Sequence, residues 1–160
     1  KTDLDVRQNI TGFEEALKKL PGALIGDNKM CPLTHSFAEE QYVREIFAPK
    51  GSLIVTKIHK KSHPVFILTG DCSVLTDEGI KRIKAPCYMI TPAGCKRIVY
   101  VHENTRWVTV QVTRERDLDK IEEEVIAKTF DDLPNDVIDV EFTEVITNFI
   151  NEVKTTEESI

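Results

Sequence analysis

Between Tyr42 and Val112 the chain alternates short β-branched and aromatic runs with turn signals, and no helical crossover interrupts them. The breaks fall at Pro49-Lys50-Gly51, Gly70-Asp71, Asp77-Glu78-Gly79, Ala85-Pro86, Pro92-Ala93-Gly94 and His102-Glu103-Asn104. Parallel strands need long, usually helical, crossovers, whereas antiparallel strands close through turns of a few residues. This spacing therefore predicts an all-β antiparallel sandwich or barrel and argues against a doubly wound sheet. Strands are expected at Tyr42–Ala48, Leu53–His59, Pro64–Thr69, Ser73–Thr76, Ile80–Lys84, Tyr88–Thr91, Arg97–Val101 and Trp107–Val112. Gly79 supplies the positive φ of the hairpin between Val74-Leu75 and Ile80.

Both flanks change period. Thr11 and Glu14 have the spacing of a capping box, and Phe13, Ala16, Leu17 and Leu20 repeat at helical intervals before Pro21-Gly22. After Thr113, Asp117 is placed to cap a helix with Leu118, Ile121, Val125 and Ile126 on one face. Glu122, Glu123 and Glu124 occupy its remaining circumference and read as a solvated face. Beyond Pro134 a second amphipathic segment carries Val145, Ile146, Phe149, Ile150 and Val153, whose stripe needs a partner surface, and Thr155 to Ser159 read as a frayed tail. The expected division is a helical segment over 1–30, the barrel over 31–113 and a C-terminal helical extension over 114–160.

Charge and composition narrow the function classes. At 160 residues the chain is long enough to bury a core without help from a disulfide or metal. With 27 acidic and 21 basic side chains the formal charge is −6, the wrong sign for neutralising phosphates, so no nucleic-acid partner is expected. No run of 18 apolar residues occurs and the first residues are too polar for a secretory signal, so no membrane partner is expected either. A chain starting at Lys1 points to processing or trimming. Cys31, Cys72, Cys87 and Cys95 form no C-x-x-C pair and read as reduced, partly buried thiols of a cytoplasmic protein.

His59 and His63 stand four residues apart at a strand junction. Imidazole ligates first-row metals and shuttles protons, although such pairs also occur at strand ends with neither role. Around them the order is Gly51, five residues, Lys57, one residue, His59, three residues, His63, six residues, Gly70. A second stretch runs Pro86, five residues, Pro92-Ala93-Gly94, two residues, Arg97. The two stretches resemble the paired motifs of the cupin superfamily. Cys31-Pro32, Thr34-His35-Ser36-Phe37, Tyr42 to Phe47, Tyr100 to Glu103 and Trp107 further resemble small bacteriophage-encoded cupin-like proteins of unassigned function, over about Cys31 to Val125.

The resemblance implies a single jelly-roll barrel whose mouth holds a metal on three histidines and a glutamate. Here Lys57 stands where the first histidine belongs, His59 matches the second, His63 replaces the glutamate and Arg97 replaces the last histidine. Deprotonating a lysine at neutral pH costs roughly 4–5 kcal/mol, and arginine is effectively never deprotonated. Two ligands remain, against the three usual in a catalytic site. A rearranged metal set of His59, His63 and His102, with Gln111 or His35 as weaker additions, would take a divalent transition metal (Zn, Fe, Mn or Ni). Alternation from Arg97 puts Val101 on the arginine's face and His102 on the other, unless a bulge reverses the parity. An absent metal is the equal alternative.

The cations suggest a second use. Lys57, Arg97 and Arg44 beside His59 and His63 would attract a small anionic ligand such as a carboxylate or a phosphorylated sugar. The opposing expectation is that Lys57 and Arg97 turn outward or pair with Glu45 or Glu103. Ser62 beside His63 has no acid partner, and Cys95 is a candidate thiol activated by Lys96 and Arg97. Trp107 reads as core or interface. Three classes follow: a small-molecule or metal-binding module without turnover, a non-enzymatic structural or interaction module tied to a phage particle, and a metal-dependent isomerase or dioxygenase. Self-association as a homo-oligomer, contacts with other phage proteins, and a place in the bacterial cytoplasm or the virion accompany these readings.

Overall fold

A computed structural model describes residues 11–12, 14–19, 29–76 and 79–133. The described residues include nine strands: β1 (Leu33–Ala38), β2 (Gln41–Ala48), β3 (Leu53–Val55), β4 (Ile58–His59), β5 (His63–Thr76), β6 (Gly79–Lys84), β7 (Cys87–Thr91), β8 (Ile98–Val112) and β9 (Ile126–Ala127). A helix, α1 (Leu118–Val125), precedes β9, and a 3₁₀ turn follows at Phe130–Asp132. The main sheet runs β1-β2-β8-β5-β6, with β3 on β8 and β7 on β5, while β4 and β9 form a separate two-stranded piece. Every pairing is antiparallel. The fold is thus mostly β and antiparallel, as the turn spacing predicts.

Two expected breaks are not breaks. Gly70-Asp71 and His102-Glu103-Asn104 lie inside single long strands, β5 and β8. Pairing between these strands slips at Ile67/Thr69, Thr69/Asp71 and Asp71/Cys72. Ahead of the slip Val65 and Ile67 are buried, and beyond it Cys72 and Val74 are. The irregularity therefore moves the inward set of β5 from odd to even positions, whereas on β8 Val101 before it and Thr105 after it are both buried at odd positions, with Glu103 between them exposed opposite Asp71. The predicted strand Leu53–His59 divides at Thr56-Lys57, and β1 was not anticipated because its Leu-Thr-His-Ser-Phe-Ala run is short and largely polar.

The buried face changes character along its length. At one end Ala48, Cys72, Val74, Val99 and Val101 form an apolar cluster, flanked by Ile54, Ile83 and Trp107. Each fully buried aliphatic side chain there contributes about 1.5–3 kcal/mol. Toward the other end the same face carries Arg44 opposite Thr109 and Tyr42 opposite Gln111. Burying polar groups is costly unless they are hydrogen-bonded, so this end is the one suited to polar chemistry.

Asp117 caps α1 as expected, accepting hydrogen bonds from the backbone of Asp119 and Lys120 at 3.1 Å each. Ile121 and Val125 bury against Tyr42, with Ile126 beside them. Residues 11–12 and 14–18 are helical. Glu14, expected in a capping box, instead meets buried Lys96 at 2.5 Å. Pro21-Gly22, the amphipathic stripe after Pro134 and the tail from Thr155 lie outside the described residues. Among the described residues no helix is long and apolar enough to cross a membrane.

Gly70 is the residue that permits the bulge. Its φ is +100°, and a Cβ there would lie 2.6 Å from Asn104 O and from Thr105 Cα, both parts of β8 backbone that cannot swing away. Gly70→Ala is expected to destabilise the protein by about 2–5 kcal/mol, from left-handed strain plus overpacking. Urea denaturation would read this; an unchanged midpoint would show that the bulge does not need the glycine.

Candidate functional site

The polar end of the buried face gathers His63 from the start of β5, Thr91 from the end of β7, Gln111 from β8 and His59 from β4. His63 and Thr91 are register partners. His59 is placed by three separate constraints. It pairs with Ile126 of β9, its carbonyl accepts from Gly94 N at 2.8 Å, and its Nδ1 accepts from Gln111 Nε2 at 3.0 Å. Gly94 has φ +76°, so the glycine of the Pro92-Ala93-Gly94 turn supplies the backbone shape that aims its N–H at β4.

The histidine rings lie 4.2 Å apart between centroids, tilted by 42°. The Gln111 amide donates to His59 Nδ1, so the neutral ring carries its proton on Nε2. His63 is arranged the other way: its Nδ1 donates to the Lys61 carbonyl at 3.2 Å, leaving Nε2 bare. The pair thus offers one imidazole donor and one imidazole acceptor. Burial favours neutral rings, and the positive charges of Arg44, Lys57 and Arg97 act in the same direction on His59. His59 is pushed down to about 3, and His63 is lowered too, chiefly by burial.

Arg97 is 8% exposed. Its backbone N–H donates to Thr56 Oγ1 at 2.8 Å, and Thr56 N donates back to the Arg97 carbonyl at 2.9 Å. One terminal guanidinium nitrogen, Nη1, donates to Thr91 Oγ1 at 3.0 Å and touches Met89 Sδ at 3.4 Å. Nε is enclosed and has no hydrogen-bond partner among the described residues. Among the described residues no carboxylate pairs with Arg97, and none pairs with Arg44, which is half-buried on the same face. Glu45, a partner considered from sequence, instead holds Arg106 at 2.8 and 2.9 Å.

Lys57 does not join this group. It is exposed and forms an ion pair with Glu122 of α1. His102 does not join it either: its Nε2 lies 2.7 Å from Ser73 Oγ, and its ring meets Tyr100 edge-on at 4.9 Å. The slips between β5 and β8 leave Val101 inward opposite Cys72, so His102 lies on the other face beside Ser73. His35 is engaged with the Tyr42 hydroxyl at 2.7 Å. Of the proposed binding residues, then, His59, His63, Arg97 and Arg44 share the buried face. Gln111, weighed only as an extra ligand, proves to be the group that sets the His59 tautomer. Cys95 is half-buried and its neighbour Lys96 is committed to Glu14.

The donor set does not fit the metal that the cupin resemblance implies. Among the described residues no group of three metal-ligating side chains comes together. His59 presents Nε2–H where a ligand needs a lone pair, and permanently charged Arg97 occupies the last-histidine position. What the arrangement can do is hydrogen-bond through one neutral imidazole donor and one acceptor, beside a guanidinium with no carboxylate partner among the described residues.

The histidines predict an acid-side loss of stability. Their folded pKa values lie below the unfolded value of 6.5, so the unfolded chain takes up protons first as pH falls. Stability is therefore complete above pH 6.5 and declines below it, by about 1.4 kcal/mol per pH unit for each affected histidine. Between pH 6.5 and 4.5 most carboxylates remain ionised, so the histidines dominate. His59→Gln should flatten the slope of unfolding free energy against pH in that window; an unaltered slope would show that His59 is not held neutral.

No protein-family model matches the chain, and no curated protein matches it. The chain is similar to several solved structures. A conserved protein of unknown function from Streptococcus pyogenes is 17% identical over 62% of this chain and 96% of its own, with a TM-score of 0.42. A cupin superfamily protein from Desulfitobacterium hafniense is 10% identical over 61% of this chain and 97% of its own, with a TM-score of 0.46. The cupin domain of an XRE family transcriptional regulator from Enterobacter cloacae is 9% identical over 55% of this chain and all of its own, also at 0.46. Each is a likeness of strand arrangement at a low score, and nothing about ligand or activity follows from it.

Proposed function

We propose that this protein is a cupin-like binding module whose site takes a small organic anion, with a carboxylate or phosphate group seated on Arg97 and Arg44. The observation that carries the reading is the buried Arg97 guanidinium, with Nε unpartnered and no carboxylate among its described neighbours. An uncompensated buried charge costs several kcal/mol, and an anion held by charge-assisted hydrogen bonds offsets that cost. Arg44 adds a second guanidinium on the same face. His59 Nε2–H and His63 Nε2 then supply a donor and an acceptor for a ligand hydroxyl, and Gln111 keeps the donor in place. The reading requires no turnover. A metal-dependent isomerase or dioxygenase would need ligands that this site does not assemble. A phage-associated structural role would draw on the stripe after Pro134, outside the described residues.

Differential scanning fluorimetry at constant ionic strength tests this with sodium phosphate, acetate and succinate as probes. Wild type should shift upward with at least one of them, by the mass action of binding to the folded state. Arg97→Gln should remove the shift, and Arg44→Gln should reduce it. A shift retained in Arg97→Gln, or none in wild type with any probe, overturns the reading.

A further inference from the structure

The inner part of that site, around Arg97, is closed, while Arg44 is half-buried. His59, His63, Thr91, Arg97 and Gln111 are all buried, His59 being the most exposed of them at 9%. A solute can reach Arg97 only if some part of the chain moves while the rest stays folded. Strands β2, β5 and β8 are poor candidates, since each is tied along most of its length by ladder hydrogen bonds to neighbours.

The element lying across the His59 end is α1, and its attachments are of another kind. Ile121 and Val125 rest on Tyr42, the register partner of Gln111. Its last residue accepts from Lys60 N at 2.8 Å, and β9 continues it for one two-residue pairing with β4. The remaining ties are lysines of the β4 region meeting the acidic run. Lys57 pairs with Glu122, Lys61 meets Glu124 Oε1 at 3.2 Å, and Lys60 Nζ donates to the Glu123 carbonyl at 2.7 Å. Glu124 Oε2 also accepts from Thr113 Oγ1 at 2.6 Å, at the point where α1 leaves the sheet. Exposed ion pairs contribute little each and weaken with salt, and a helix of eight residues has little stability of its own.

We propose that α1 is a lid: it lifts from the Tyr42 end of the sheet while the strands remain paired, and that opening admits the anion to Arg97. This rests on the anion-site reading for its ligand, but not for the motion itself. In the open state Thr113 is the hinge side, and the lysines of the β4 region, freed from Glu122 and Glu124, face the entrance with positive charge. The basic cluster then serves both states: it latches the acidic helix when shut and steers an anion when open.

Amide hydrogen exchange on the full chain, read by mass spectrometry, tests the motion without any ligand. The α1 amides should exchange through a local opening that leaves β5 and β8 protected. Lys57→Gln with Lys61→Gln should speed that exchange by about fivefold, the loss expected of two exposed pairs, and raising salt to about 0.5 M should have the same sense. Protection of α1 equal to that of β5 and β8 would overturn the lid.

Access is tested by joining Ile58→Cys to Ala127→Cys, directly opposed residues of β4 and β9, so that a disulfide pins the end of α1. The phosphate or carboxylate shift should vanish when this variant is oxidised and return on reduction. A shift that persists in the oxidised form overturns the lid and leaves the anion site standing. If neither wild type nor the reduced variant responds, the anion site fails, and hydrogen exchange still decides whether α1 opens.

Discussion

The register slip at Gly70 is the constraint on which the rest of this structure depends. Two long strands, β5 and β8, run side by side through the middle of the sheet, and both must deliver side chains to one buried face. On β8 Val99, Val101 and Thr105 do so from odd positions. On β5 simple alternation would deliver Val65 and Ile67 but turn Cys72 and Val74 outward, and the apolar cluster around Val99 and Val101 would lose its partners. The bulge corrects the parity, and it exists because a residue without Cβ can approach Asn104 and Thr105 at positive φ. The same slip leaves Asp71 on the opposite face, where Arg82 and Lys84 pair with it and hold its carboxyl below the usual range, Arg82 foremost.

Once the strands are in register, the polar end of the buried face follows from which residues happen to sit there. Of the four positions that the two motifs single out, the fold brings His59, His63 and Arg97 together, while Lys57 turns out to Glu122. One imidazole is tautomerically committed by Gln111, its neighbour is oriented oppositely by a backbone carbonyl, and a guanidinium stands where a neutral ligand would be required. Burial holds both imidazoles neutral, and the positive charge of nearby Arg44, Lys57 and Arg97 acts in the same direction on His59.

The C-terminal helix links this interior to the surface. Its apolar residues continue the core through Tyr42, while its acidic residues meet lysines that flank His59 in sequence. A basic cluster and an acidic run that are over 60 residues apart, as the spacing of the Lys57 and Glu122 contact shows, are thus brought into contact, and the attachment of the helix is electrostatic at its rim and apolar beneath.

By itself the sequence determined the antiparallel class, the strand-and-turn rhythm, the Asp117 cap and the glycine-framed positions, because these are local consequences of β-branching, turn chemistry and helical period. It also determined that Arg97 could not be a metal ligand, since no environment removes that proton. It did not determine that Gly70 lies within a strand, because a glycine-aspartate pair has the same local preference in a bulge as in a turn. Nor did it determine which way His102 points, since the parity of one strand depends on where its neighbour slips. The partners of Lys57 and Glu122 and the tautomer of His59 were decided by tertiary structure alone. Such contacts join residues distant in the chain, and only the packed sheet sets the distances over which charge and hydrogen bonding act.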